Sequence, residues 1–307
     1  MTRSDDVFDS FEEIIRARPT TNPWAIDAIT SARKYAPDFD LLAELVGVPV
    51  GAGSGSESGR LAKSMDAWMA HELRRAGFGP DEVWPRLTKP RVLPRDLAQF
   101  IEGLPAKDRE AVRARVLRNK RVAPSDAKVL GRAYVKQVDV LIAQWSRGPE
   151  LLVSTKSMVS SFRNNLPNRF EESYGDAMNL RGRFPLVSMG FLFMLRSTVT
   201  AEAGTLDRAI DMLRKLQQDV DAYDATCLII GEWDSPASSR EVTVRNDLVP
   251  EDLQAGRFIG TLIDGVLART PIEMHVQVRE AREHRPLRIE EADEAGDDGQ
   301  FLPAESG

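Results

Sequence analysis

The sequence predicts an α/β protein with a central mixed β-sheet, flanking helices and a helical N-terminal region. Between residues 132 and 233, short apolar and β-branched runs alternate with stretches of helical periodicity, as is typical of an α/β unit. Residues 7–46 show helical periodicity interrupted by prolines. An apolar fraction of 42% with 29% charged residues is ordinary for a globular protein with a sizeable core.

Composition divides the chain into four regions. Residues 1–50 form the helical N-terminal region. Residues 51–131 begin with a Gly/Ser-rich connector and continue as helices with a basic segment. Residues 132–286 contain the alternating strands and helices. Residues 287–307 are acidic and are predicted to be disordered.

The elements before residue 132 are predicted to be helical. Apolar side chains recur on one face of residues 60–76, and Glu72 lies within that stripe, whereas Lys63 and Asp66 lie outside it. Residues 95–121 resume a helical pattern after a proline-rich stretch. Asp126 follows a proline and a serine, which predicts the start of another helix.

After residue 132, strand-like runs alternate with stretches of helical periodicity. Residues 138–143 and 151–155 are short β-branched runs separated by a polar turn, so they are predicted to be adjacent strands. The segment at 240–245 is compatible with a short DNA-facing strand or a surface hairpin. The remaining predictions are helices at 167–180, 205–223 and 258–267 and strands at 185–195 and 225–233.

Composition also excludes several classes of site. One cysteine, Cys227, excludes a disulfide framework and a multi-cysteine zinc site within one chain. The three histidines have no ligand spacing, which argues against a histidine metal site. No apolar run reaches the roughly 20 residues that span a bilayer, and the N-terminus lacks a signal-peptide pattern, so we expect a cytoplasmic protein without a membrane partner.

The net charge of −6 conceals a basic region. Residues 290–307 contain seven acidic residues and no basic ones, and without them the net charge is +1. Residues 107–136 contain ten basic and three acidic residues. This segment is either a solvated helical face or a surface that follows a nucleic-acid backbone.

The residues around the first two strands of the α/β region predict metal-dependent chemistry. Asp139 lies in the first strand and Lys156 follows the second, so the two side chains could meet at one sheet edge. Glu171 and Glu172 lie on the following helix, separated from Lys156 by 14 and 15 residues. Carboxylate oxygens suit Mg²⁺, and a lysine can orient or deprotonate an attacking water.

These residues resemble the type II restriction endonucleases of the PD-(D/E)XK superfamily. The resemblance covers 85 of the 307 residues, in the blocks RLAKSMDAWMAHELRRAGFGPDEVWPR, QVDVLIAQWSRGPELLVSTKSM and SSFRNNLPNRFEESYGDAMNLRGRFPLVSMGFLFML. The acid usually found two residues before the lysine is replaced by Ser154. Some members of the superfamily carry that glutamate on the following helix, as Glu171 or Glu172 would here. Arg169-Phe170-Glu171 matches the family's Arg-x-Glu and slightly favours Glu171.

The resemblance implies a restriction-endonuclease-like core and a set of site residues. Asp139 and a helix glutamate would bind Mg²⁺, supported by Glu72 or, less well placed, Asp66 on the early helix. Glu72 could equally be a carboxylate paired with a nearby base. The implied contacts to DNA are those of Ser154, Asn165, Asn168, Arg169, Arg181 and Arg132, although the asparagines could instead cap a helix and Arg181 could serve helix-end electrostatics.

The expected function is therefore site-specific hydrolysis of double-stranded DNA with Mg²⁺. A homodimer and a companion DNA methyltransferase are further implications of the resemblance. One alternative is a catalytically inactive DNA-binding defence or regulatory protein on the same fold, since Ser154 is compatible with lost activity. A second alternative is a helical interaction protein that binds no nucleic acid.

Overall fold

The computed structural model describes residues 3–53, 59–234 and 240–288. The connector at 54–58 and the acidic tail from 289 onward, both singled out in the sequence, lie outside the described residues. The helices are α1 (Arg3–Arg16), α2 (Phe39–Gly51), α3 (Arg60–Arg75), α4 (Arg95–Gly103), α5 (Ala106–Arg118), α6 (Phe162–Arg181), α7 (Thr205–Gln218), α8 (Ala255–Ala268) and α9 (Val276–Glu283). The strands are β1 (Trp24–Ile26), β2 (Arg33–Tyr35), β3 (Val83–Trp84), β4 (Ala127–Leu130), β5 (Val135–Val138), β6 (Val140–Gln144), β7 (Gly148–Met158), β8 (Ser188–Arg196), β9 (Ala225–Glu232) and β10 (Thr243–Val244).

Within these ranges, six strands form a mixed sheet in the order β10-β9-β8-β7-β6-β3. The β7, β8 and β9 strands are parallel, and α6 and α7 provide the two connections between them. The β6 strand pairs antiparallel with both β3 and β7. The α/β class predicted from the alternating periodicities is confirmed, and the chain between 240 and 245 contributes a short edge strand, β10.

Each face of the sheet is covered by its own apolar layer. One layer contains buried side chains of α1, α2, α3 and α8, together with the β6 and β7 residues that point to them. The other contains side chains of α6 and α7. The α8 helix packs very close to β8, because a Cβ at Gly190 would lie 2.7 Å from both Phe258 and Leu262. Residues 1–50, predicted as a separate region, contribute to the first of these layers.

The uniformly helical prediction for residues 7–46 is wrong between α1 and α2. Residues 24–35 form the β1–β2 hairpin instead. The carboxylate of Asp27 accepts hydrogen bonds from the amides of Ile29 and Thr30, which fixes the turn between the two strands. Trp24 and Tyr35 pack edge to face across the hairpin with ring centroids 5.1 Å apart.

The helix predicted to start at Asp126 is also wrong, because this segment is the first strand of the β4–β5 hairpin. The side chains of β4 alternate between buried and exposed, a period of two that outweighs the helix-start signal. Asp126 accepts hydrogen bonds from Ser125 and Gln137 and does not cap a helix. The Asn179 side chain holds the hairpin turn by accepting from the amides of Ala133 and Tyr134.

The other helical predictions are confirmed with shifted bounds. The pattern at 95–121 is split into α4 and α5 around Pro105. The α6 helix begins five residues before Pro167, so this proline lies within the helix. Among the described residues, no helix has the length and apolar character needed to cross a membrane.

Candidate functional site

Asp139 is held at a bend between β5 and β6. Val140 of β6 lies opposite Val153 of β7, so Asp139 lies beside the C-terminal half of β7. The amide of Thr155 donates a hydrogen bond of 2.9 Å to Asp139 Oδ2. The carboxylate of Asp139 is thus fixed to the backbone one residue before Lys156.

A second carboxylate reaches the same position from α3. Asp66 is fully buried, and its Oδ1 accepts a hydrogen bond from the hydroxyl of Thr155. Leu151 and Val153 pack into the layer that contains α3, and alternation places Thr155 on the same face of β7. Thr155 therefore joins Asp66 and Asp139 through its hydroxyl and its amide.

The other oxygen of Asp66 faces an ammonium group. Asp66 Oδ2 is buried, and Lys63 Nζ lies 3.0 Å from this oxygen, close enough to compensate its charge. Lys63 and Asp66 are three residues apart on α3 and so share one side of the helix.

Lys156 lies on the opposite face of β7. Its Nζ is 2.8 Å from Glu172 Oε1, and Arg169 Nη1 is 2.8 Å from Glu172 Oε2. The Lys156 side chain is 23% exposed and the Glu172 side chain 36%, so this ion pair is accessible from solvent. The α6 helix thereby holds the lysine head group at the sheet edge.

The surroundings of Asp139, Lys63 and Glu172 shift the pKa values of these three side chains. Burial raises the pKa of Asp139, and the negative charge of Asp66 raises it further against the opposing effect of Lys63. The charge of Asp66 also raises the pKa of Lys63, despite burial of the lysine, and Asp139 adds to this effect. Partial burial acts to raise the pKa of Glu172, but the hydrogen bonds and charges of Lys156 and Arg169 outweigh it and lower that pKa.

The donor set of Asp66 and Asp139 fits a hard divalent cation. Mg²⁺ prefers oxygen ligands and usually takes one or two protein carboxylates, with waters completing its shell. The buried Asp66 Oδ2 already faces a cation, the ammonium group of Lys63 at 3.0 Å. In the described part of the chain, no group of three or more His, Cys, Asp or Glu side chains is arranged to hold a metal ion. The pair therefore suits a partly hydrated cation better than one enclosed by protein ligands.

Glu72, the glutamate on α3 that the sequence suggested as a metal ligand, does not lie beside Asp139. Glu72 is fully buried and accepts a hydrogen bond of 2.9 Å from the hydroxyl of Tyr35. Arg75 Nη1 lies 2.7 Å from Glu72 Oε2 and 2.9 Å from Oε1. The structure does not bring Glu72 to Asp139, and the acid of α3 that it does bring there is Asp66.

The two glutamates of α6 are also separated by the helix. Glu172 contacts Lys156, whereas Glu171 is exposed on a different side of α6. The match to Arg-x-Glu slightly favoured Glu171, but the structure brings Glu172 to the lysine.

The predicted DNA-contacting residues fall into two groups. Asn165, Asn168, Arg169 and Arg132 are exposed. Ser154 is buried, and Arg181 is committed to the protein interior through Asp224, at 2.7 Å, and the carbonyl of Val187, at 2.7 Å. Arg181 therefore has an internal structural role in this conformation.

Sequence reasoning missed the parts played by Thr155 and Lys63. A signal for Lys63 was present, because Lys-x-x-Asp on a helix places the two side chains together. Thr155 gave no comparable signal, since a threonine in an apolar strand is ordinary.

Comparisons of the chain with protein-family models, with curated proteins and with solved structures gave no match.

Proposed function

We propose that this protein is a Mg²⁺-dependent endonuclease that hydrolyses phosphodiester bonds in double-stranded DNA. The observation that carries the proposal is the position of Thr155, which donates hydrogen bonds to the buried carboxylate of Asp66 and the half-buried carboxylate of Asp139 and immediately precedes Lys156. Two carboxylates for a cation and an adjacent lysine are the groups that phosphodiester hydrolysis requires.

Each residue then has a distinct role. Asp66 and Asp139 would hold Mg²⁺, which when bound polarises the phosphoryl oxygen and the attacking water. Lys156 points to the other face of β7 from Asp66, but its charge acts to lower the pKa of Asp139, so from that side it would orient or deprotonate the water and stabilise negative charge on the phosphate. Glu172 and Arg169 are positioning residues, since they fix the Lys156 head group. In this arrangement Asp66 supplies the second acid that Ser154 cannot.

The order of elements also supports a restriction-endonuclease-like core. A helix (α3) is followed by the antiparallel strands β3, β6 and β7, then by α6 and the parallel strand β8. Lys156 lies on β7 and Glu172 on α6, whereas Asp139, expected within a strand, lies at the bend just before β6. A site-specific restriction activity, a homodimer and a companion methyltransferase belong to the same proposal.

The basic segment at 107–136 would contact the phosphates of the DNA backbone. Every residue of α5 is at least partly exposed, and the neighbouring bases Lys120 and Arg121 are exposed as well. Lys128 and Arg132 are also exposed, on the β4–β5 hairpin, which leads directly into Asp139. Phosphate contacts of this kind give affinity without sequence preference.

Cleavage by wild type and by Lys156→Ala tests the proposal. We expect wild type to cut bacteriophage or plasmid DNA in Mg²⁺ and Lys156→Ala to cut at least about 100-fold more slowly. Lys215→Ala is the matched control, because Lys215 forms an exposed ion pair with Asp211 on α7. Equal cleavage by wild type and Lys156→Ala would contradict the mechanism.

Two observations favour the alternative of an inactive DNA-binding protein. No three metal-binding side chains converge in the described residues, and Ser154 replaces the usual acid. That alternative predicts duplex binding by wild type with no cleavage of any DNA in Mg²⁺ or Mn²⁺.

A further inference from the structure

Lys63 occupies the place at which a cation would meet Asp66. Its Nζ is 3.0 Å from Asp66 Oδ2, a buried oxygen. The same Nζ lies 5.9 Å from the ring centroid of Phe8 on α1. The ammonium group thus contacts a carboxylate and an aromatic ring, with 21% of the Lys63 side chain exposed.

The buried carboxylate of Asp66 needs positive charge nearby. Its neighbour Asp139, which is half-buried, accepts a hydrogen bond from the same residue, Thr155, and two such negative charges without a nearby cation would be unfavourable. In the absence of metal, the ammonium of Lys63 supplies this compensation. A divalent cation bound to Asp66 Oδ2 would supply more charge at the same oxygen and would repel the ammonium.

The position of Lys63 also allows it to leave. It is the fourth residue of α3, and a flexible four-carbon stem connects its head group to the helix. The partly exposed side chain can move towards solvent without disturbing the buried face of the helix.

We propose that Lys63 is an exchangeable internal counter-ion that competes with the divalent metal for Asp66 and thereby sets the metal affinity of the site. The inference rests on the proposed function, because it assumes that Asp66 and Asp139 bind metal. It adds a regulatory residue that the catalytic proposal does not need.

Calorimetric titration with Mn²⁺, without DNA, tests the competition. We expect Lys63→Met to bind Mn²⁺ about 10-fold more tightly than wild type, because the competing charge is gone and the stem is kept. Lys215→Met is the matched control and is expected to bind like wild type. Unchanged or weaker binding by Lys63→Met, with wild-type binding abolished in Asp139→Asn, would overturn the inference and leave the proposed metal site intact. Failure of wild type to bind Mn²⁺ at millimolar concentration would contradict both.

A second measurement needs no variant. Amine-reactive labelling of wild type, followed by mass spectrometry of the peptides, reports how accessible each lysine is. We expect saturating Mg²⁺ to increase the labelling of Lys63 several-fold while the labelling of Lys215 stays constant. Equal labelling of Lys63 with and without Mg²⁺ would show that the ammonium is not displaced.

Discussion

Replacing Asp139 by asparagine is expected to reduce Mg²⁺-dependent DNA cleavage by about 10³-fold or more. The substitution removes the charge that would hold the cation but preserves an oxygen that can accept the hydrogen bond from the Thr155 amide. Burial and the charge of Asp66 both oppose ionisation of Asp139, so the variant should be at least as stable as wild type. Single-turnover cleavage and urea unfolding of the same preparations measure the two effects.

The matched control for this variant is Asp207→Asn. Asp207 is an exposed carboxylate in the first turn of α7, so its loss changes the net charge equally without touching the site. We expect the control to cleave at the wild-type rate. Near-wild-type cleavage by a folded Asp139→Asn protein would remove Asp139 from the mechanism.

The second large effect concerns stability. Replacing Glu72 by alanine is expected to lower the free energy of unfolding by about 3 to 5 kcal/mol, since it leaves the side chain of Arg75 unpaired in a buried environment. The hydroxyl of Tyr35 and the amide of Asp38 lose a hydrogen-bond acceptor as well. Urea unfolding of the variant and of wild type measures this loss.

The same variant separates the structural role of Glu72 from the metal-binding role that the sequence suggested. If Glu72 serves only to stabilise the fold through Tyr35 and Arg75, the folded variant should bind Mn²⁺ with wild-type affinity. An exposed pair on another helix, Lys215 with Asp211, provides the control, and Asp211→Ala should change stability by less than about 1 kcal/mol. Unchanged stability of Glu72→Ala combined with lost Mn²⁺ affinity would make Glu72 a metal ligand after all.

The sequence predicted the parts of the site that depend on strand and helix periodicity. Two β-branched runs separated by a short turn predicted adjacent strands, and β6 and β7 are neighbours in the sheet. The predicted meeting of Asp139 and Lys156 stays a prediction, since Asp139 accepts from the Thr155 amide and Lys156 contacts Glu172. The helix after Lys156 could be placed from its apolar spacing, although a one-residue choice between Glu171 and Glu172 depends on a rotation of about 100°. That choice needs the packing of α6 on the sheet.

The prediction about the early helix was less successful for a physical reason. A helical wheel shows which side faces the interior, and Glu72 indeed points inward. It does not show what lies there, and the interior beside Glu72 contains Tyr35 of a hairpin that was predicted to be helical. Asp66 lies outside the apolar stripe, yet it is buried because β7 presents the hydroxyl of Thr155 to it.

The two hairpins were missed because local signals conflicted. In residues 24–35, apolar residues at helical spacing coexist with Asp27, whose turn hydrogen bonds decide the structure. In β4, a proline and a serine before Asp126 suggested a helix start, whereas Asn179 of α6 fixes the hairpin turn through a contact distant in the chain. Neither outcome follows from propensity within a short window.

Duplex DNA bound to wild type in Ca²⁺ and then exposed to Mg²⁺ tests the central claim most directly. We expect binding in Ca²⁺ at low salt, an affinity that falls steeply as salt is raised, and fragments with uniform end sequences after Mg²⁺ is added. Sequencing the fragment ends would also define the cleavage site. Absence of duplex binding in Ca²⁺ at low salt, or intact DNA after Mg²⁺ addition, would contradict the assignment of this site to DNA hydrolysis.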